Sequence, residues 1–190
     1  DIIFHFAGVN RDTSSEIVFN KNMMINEMLY NSLEKISFKG KLLFTSSTQE
    51  KINNEYGSAK RAARLNFERQ SKKLGYKFYG IITPNIFGPF GKPNYNSFIS
   101  TFSKMLIDGD KPIINDDKYV SLVYINDFVN ELIKIIDDKQ TIDINPITNK
   151  FKVSEILHKL ETFDKLYVDK GEIPEISSEF DLSLFNTFRS

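Results

Sequence analysis

The sequence contains no cysteine, and its only histidines are His5 and His158. That leaves too few thiolate or imidazole groups for a zinc or iron–sulfur site, so no metal is expected. No apolar run approaches the ~20 residues that a helix needs to cross a membrane, and no signal-peptide pattern is present. Basic and acidic residues balance, giving a formal net charge of zero, and no long basic run occurs. Such a charge distribution suits neither a nucleic-acid nor a membrane surface. Internal repeats and low-complexity segments are missing too. What is there is globular in kind: 190 residues, 41% hydrophobic and 26% charged, enough for one ordinary domain with a sizeable core. A reducing cytoplasm is the expected compartment.

The chemistry concentrates between Lys41 and Lys60. Leu42, Leu43 and Phe44 form a short apolar run with polar flanks, which reads as a buried strand ending at Ser46 and Ser47. Tyr56 and Lys60 are four apart, so a helix starting near Glu55 puts them on one face. A hydroxyl, a phenol and an ammonium then converge at the carboxyl end of a strand, where open α/β sheets bind ligands. The trio suits carbonyl reduction. The phenol delivers the proton, the ammonium lowers the phenol's pKa, and the serine hydroxyl orients the carbonyl.

Around this stretch the pattern is α/β. Asp1 to Phe6 is a continuous apolar run that fits a buried parallel strand, with Gly8 freeing the backbone at its end. His5 reads as a core histidine with a satisfied hydrogen bond. Ser14 or Ser15 caps a helix running to about Ile36, with Gly40 beyond it. Asn22 lies on that helix, either solvated or supporting the site. The helix from about Glu55 to Leu74 closes with Lys72, Lys73 and Gly75, and Phe78 to Ile82 is the next strand. Lys92 to Ser97 is a polar loop reaching the amino end of a helix with Phe98, Phe102 and Leu106 on one face. It is read as an anion site or as a plain capped turn. Val120 to Ile125 is a strand, Asn126 or Asp127 caps a helix to about Ile136, and Phe151 to Leu160 is a further helix. Beyond Asp164 the chain is acidic and loop-like, with short apolar pieces such as Leu182 to Phe185.

Ser46-Ser47-x-Gln49 followed by Tyr56-Gly57-x-x-Lys60 resembles the active site of the extended short-chain dehydrogenase/reductases, the NAD-dependent epimerase/dehydratase family. Pro84-Asn85-x-Phe87-Gly88 resembles the family segment whose asparagine contacts a nucleotide sugar. Within the family, Pro93-Asn94-Tyr95-Asn96-Ser97 and His5 to Arg11 are similar to the capsular polysaccharide CapF-like UDP-sugar reductases. The resemblance implies a catalytic trio of Ser47, Tyr56 and Lys60. It implies cofactor contacts from Ala7, Gly8, Asn22, Ser46, Tyr56, Lys60 and Pro84, and substrate contacts from Gln49, Asn85, Asn94 and Asn96. It implies NADP or NAD as cofactor, NADPH favoured, a UDP-sugar as substrate, and a homo-oligomer.

Two departures matter. Ile82 stands where the family usually has an arginine, and no Gly-x-x-Gly-x-x-Gly occurs. The expectation is therefore a partial Rossmann-like fold, doubly wound and mostly parallel, that lacks its first strands. It spans residues 1–145 with a substrate-side insertion at about 84–116, followed by a small substrate-binding lobe at 146–190. The chain reads as a truncated part of a longer reductase whose cupin domain is absent too. Without its neighbouring strand, Asp1 to Phe6 becomes a sheet edge.

Related dehydratases use an Asp-Glu pair after the catalytic hydroxyl residue, as general acid and base. Here Thr48 and Gln49 occupy those places and neither titrates. Glu50, one residue on, is expected to point elsewhere. Dehydration is disfavoured. The short link from Thr48 to Glu55 fits the reductase subgroup better than the epimerases. The expected function is NAD(P)H-dependent reduction of a UDP-4-keto-6-deoxy amino sugar in capsule synthesis. The alternatives are a nucleotide-sugar epimerase and a non-catalytic dinucleotide-binding fragment.

Overall fold

The computed structural model describes residues 1–137 and 148–190, and the chain divides into two compact units, 1–83 and 84–190. The expected boundary between residues 145 and 146 lies outside the described residues.

The first unit is a three-stranded parallel sheet with two helices. Its strands β1 (Ile2–His5), β2 (Lys41–Ser47) and β3 (Lys77–Thr83) lie in that order, joined by α1 (Ser15–Lys35) and α2 (Glu55–Leu74). Two crossovers through helices are what a parallel sheet requires. Leu42, Leu43 and Phe44 are completely buried in the central strand, as expected of a strand covered on both faces. Phe44 meets Phe67 of α2 with ring centres 5.6 Å apart, and Leu33, Ala63 and Tyr76 close the same core.

Helix ends follow local chemistry. Ser14 caps α1 by accepting from Ile17 N, and Gly75 ends α2 in the left-handed region at φ 81°. After α1 the turn is made by Ser37, at φ 48°, and not by Gly40. Gly40 is instead required where the chain passes under β1, because a Cβ there would lie 2.2 Å from the Asp1 carbonyl oxygen. Strand β1 pairs with β2 alone among the described residues, so it is an edge, and Phe4 and Phe6 are exposed there.

The second unit carries β4 (Asn85–Phe87) parallel to β5 (Tyr119–Tyr124), which is antiparallel to β6 (Asn149–Lys152). Around this sheet lie α3 (Phe98–Ile107), α4 (Ile125–Asp137), α5 (Val153–Phe163) and α6 (Glu179–Phe188). Three expectations are corrected. Helix α4 begins directly after β5, so Asn126 and Asp127 sit inside its first turn and do not cap it. Phe151 belongs to β6, and the helix expected from it starts at Val153. The tail beyond Asp164 is not loop-like throughout. Ser178 caps α6 by accepting from Asp181 N, and Phe180, Leu184, Phe185 and Phe188 are buried in this unit's core. Ser97 caps α3 by accepting from Ser100 N, the capped-turn arrangement.

Candidate active site

Asn54 fixes where α2 begins, its side-chain oxygen accepting from Gly57 N at 2.7 Å. That start places Tyr56 in the first turn and Lys60 one turn on, on the same face. Lys60 is buried, only 3% exposed, and its ammonium donates to the Thr45 carbonyl at 3.0 Å, where β2 ends. The same nitrogen stands 6.0 Å from the centre of the Tyr56 ring and 4.9 Å from that of Phe44. Burial pulls the Lys60 ammonium down to about 8. Burial also raises the Tyr56 phenol above its ordinary value. The phenol therefore lies above its ordinary value and not below it as expected, with desolvation as the cause.

Ser47 ends β2 half-buried, and its oxygen accepts from Gln49 N at 3.2 Å. That bond uses a lone pair and leaves the hydroxyl proton available as a donor. Ser46 is buried, and its hydroxyl donates to the Glu50 carboxylate. Gln49 is exposed and, with Asn10, Arg11, Ser14, Asn54 and Tyr56, lines a cleft of about 440 Å³. The first unit thus places Gln49 and Tyr56 on one cleft, Ser47 at the end of β2, and Lys60 against the Thr45 carbonyl two residues earlier in that strand.

Asn22 is fully buried, which rules out the solvated alternative. Its oxygen accepts from Val9 N at 3.1 Å, and its amide donates to the carbonyls of Val9 and Val18. Asn26 donates to the Asn22 carbonyl and faces His5, whose Nε2 lies 2.9 Å from the Asn26 oxygen. Burial lowers the pKa of His5, against the Asn26 hydrogen bond and with the help of the Lys60 charge. His5 is therefore the neutral core histidine expected of it, and this chain of amides holds the turn after β1.

That turn presents Ala7 and Gly8 to solvent. A Cβ at Gly8 would stand 3.0 Å from Lys60 Nζ and 3.1 Å from the Asn22 oxygen. The backbone here forms a cradle that a side chain would fill, and it borders the buried lysine. Pro84, Asn85, Asn94 and Asn96 belong to the second unit. The Asn85 amide donates to the Ser121 carbonyl at 3.4 Å, and Asn94 and Asn96 are exposed in the loop before α3. Among the described residues no cluster of histidine, cysteine or carboxylates could hold a metal, and no helix is long and apolar enough to cross a membrane.

Sequence reasoning misses the pairing of Glu50 with Arg64. The Glu50 side chain is 4% exposed and accepts from Arg64 Nε and Nη2, both at 2.8 Å. Burial pushes the Glu50 carboxyl up. The hydrogen bonds from Arg64 and Ser46, with the charges of Arg64 and Arg61, outweigh this and hold it below the usual carboxylate range. One sequence signal existed: Tyr56, Lys60 and Arg64 recur at every fourth residue, forming a single polar stripe.

Comparison with known proteins gives four findings. Residues 1–149 match the model of the NAD dependent epimerase/dehydratase family. Over 143 residues the chain is 38% identical to the UDP-2-acetamido-2,6-beta-L-arabino-hexul-4-ose reductase of Pseudomonas aeruginosa, covering 73% of this chain and 38% of that protein. The structure is similar to the capsular polysaccharide assembling protein CapF from Staphylococcus aureus, with a TM-score of 0.82 and 27% identity over 99% of this chain and 51% of that one. The UDP-N-acetylglucosamine 4-epimerase of Methanobrevibacter ruminantium shares the fold, with a TM-score of 0.80 at 15% identity over 100% of this chain and 76% of that one. The chain spans 38% of the length of the Pseudomonas reductase and about half of CapF.

Proposed function

The chain belongs to the NAD-dependent epimerase/dehydratase family, and on that premise we propose that the protein carrying it reduces the keto group of a UDP-linked 4-keto-6-deoxy amino sugar. The observation that carries this reading is the stripe on α2: a buried Lys60 ammonium held at the end of β2 beside the Tyr56 phenol, next to the open backbone of Gly8. The likeness to a Pseudomonas reductase of a UDP-linked hexulose supports the substrate class.

Ala7, Gly8 and Lys60 would hold the nicotinamide end, with Asn22 supporting their turn from within through its bonds to Val9, and NADPH is favoured by the resemblance to the CapF-like subgroup. A reduced nicotinamide supplies the reducing equivalents when bound. Ser47 donates a hydrogen bond to the substrate carbonyl oxygen and fixes its orientation. Tyr56 delivers a proton to that oxygen as charge develops on it. Lys60, charged below about pH 8, stabilises the phenolate left behind. Gln49, Asn85, Asn94 and Asn96 serve the nucleotide sugar. Thr48 and Gln49 offer no titrating pair for removing water, which favours reduction over dehydration.

The test incubates the full-length protein with NADPH and a UDP-4-keto-6-deoxy-N-acetylhexosamine. Stoichiometric NADPH oxidation with formation of the 4-hydroxy sugar supports the reading. Epimerisation of a UDP-N-acetylhexosamine without net oxidation of NADPH overturns it.

A further inference from the structure

We propose that Glu50 and Arg64 are positioning residues that set the spacing between Ser47 and Tyr56, a role that rests on the reductase reading above. The carboxylate is anchored on three sides. It accepts from Arg64 Nε and Nη2, each at 2.8 Å, and from the Ser46 hydroxyl. Ser46 adjoins Ser47 at the end of β2, whereas Arg64 continues the stripe that holds Tyr56 and Lys60 on α2. One buried carboxylate therefore ties the strand end bearing the hydroxyl to the helix face bearing the phenol and the ammonium.

Other bonds also shape the turn: Gln49 N donates to the Ser47 hydroxyl oxygen and the Asn54 amide to the Gln49 side-chain oxygen, each at 3.2 Å. Ile52 N donates to the Gln49 carbonyl and Asn54 N to the Ile52 carbonyl, each at 2.9 Å. Those bonds shape the turn and tie it to Ser47, whereas the Glu50 contacts tie Ser46 of the strand to Arg64 of α2. Room for the aliphatic stem of Arg64 comes from β3, where a Cβ on Gly80 would meet Arg64 Cγ at 2.9 Å. A bidentate guanidinium–carboxylate pair fixes orientation as well as distance, which a lysine or a single hydrogen bond cannot do. Glu50 does not line the cleft beside Tyr56, so it acts through the residues it holds and not on substrate.

The test compares four variants of the full-length protein: Glu50→Asp, Glu50→Gln, Arg64→Lys, and the double variant Glu50→Leu/Arg64→Leu. The double variant removes both charges together, since a buried pair replaced by apolar groups often keeps the fold. Two readouts are taken. Amide hydrogen exchange of residues 48–57 reports the clamp whatever the enzyme's reaction. Turnover with NADPH and the UDP-4-keto-6-deoxy-N-acetylhexosamine reports its consequence.

All four variants are expected to exchange faster at residues 48–57, with residues 42–44 unchanged. Each should lose roughly 10- to 100-fold in kcat, the scale of an ångström-sized misplacement, with KM for NADPH within about twofold. A double variant that melts like the wild type and turns over like it overturns the proposal, and so do unchanged exchange rates in the single variants. If the wild type oxidises no NADPH, the reductase reading fails, while the exchange arm still decides whether the pair is a clamp.

Discussion

The Lys60 ammonium donates to the Thr45 carbonyl oxygen across 3.0 Å, one turn along α2 from Tyr56. Thr45 belongs to the strand, so a backbone atom that cannot be mutated away holds the charge in place. The side chain is 3% exposed, and burial lowers its pKa from 10.5 to about 8. A charge kept in so dry a position destabilises the fold that keeps it.

That cost is measurable. Between pH 8 and 10.5 the folded chain has released a proton that the unfolded chain still holds, so stability from this site rises with pH across that window. Below pH 8 the penalty is fully present, at about 3 kcal/mol from the size of the shift. Lys60→Met should therefore raise the unfolding free energy at pH 7 by about 1–3 kcal/mol after loss of the Thr45 hydrogen bond. The advantage should shrink towards pH 10.5. Chemical denaturation of both proteins at several pH values checks this. A gap that does not change with pH would mean that packing, not charge, sets it.

Tyr56→Phe keeps the ring and removes the proton donor. In the full-length enzyme kcat should fall by roughly 10²–10⁴, the usual loss for a general acid, with nucleotide-sugar affinity nearly intact. Steady-state kinetics with a separate binding isotherm makes the distinction. More than about half of the wild-type kcat in the variant would remove Tyr56 from the mechanism.

Tyr56 and Lys60 were legible because the relation between them is local: four residues on a helix whose start is marked by Asn54. Strand β2 was legible because it is buried on both faces and so continuously apolar. Glu50 and Arg64 were not, because a loop residue and a helix residue meet only once the docking of the turn on α2 is known. Strand β6 carries two lysines and one apolar side chain in four residues, too short a run for its alternation to be told from the start of a helix. Helix α6 did carry a signal, with Phe180, Leu184 and Phe188 at every fourth position after Ser178. Its acidic first turn and short length let it pass as loop.

Dehydration offers a negative prediction. Thr48 and Gln49 are both exposed, and the Gln49 side-chain oxygen accepts from the Asn54 amide at 3.2 Å. Gln49→Glu supplies one carboxylate where an acid and a base are both needed. The variant should form no 4-keto-6-deoxy product from UDP-N-acetylglucosamine. Mass spectrometry of that incubation decides the matter, and such a product from the unmutated protein would reverse the choice of reductase.

The sheet edge predicts self-association of the chain. Among the described residues strand β1 has one partner, and its Phe4 is 36% exposed. An unblocked apolar edge recruits another strand, and a lysine there discourages it. Phe4→Lys should lower the sedimentation coefficient of the 190-residue chain to that of a monomer. A wild-type chain that already sediments as a monomer would show the edge to be inert.

Gly57 is the position where the site tolerates least. It follows Tyr56 in the first turn of α2, and a Cβ there would lie 2.0 Å from the Gln49 carbonyl oxygen and 2.6 Å from its carbon. Both are backbone atoms, so no side chain can swing aside to make space. Either the turn from Thr48 to Lys51 or the start of α2 must move, and each carries a member of the trio or its neighbour. Gly57→Ala gains helix propensity yet should destabilise the chain by about 1–3 kcal/mol, the range for overpacking. The displacement should also separate Ser47 from Tyr56 and lower kcat by roughly 10²-fold. Gly57→Ala is to be compared with Ser58→Ala, at an exposed neighbour on the same helix. If the two variants share one denaturation midpoint and one kcat, the close docking of the turn on α2 is not what holds the site together.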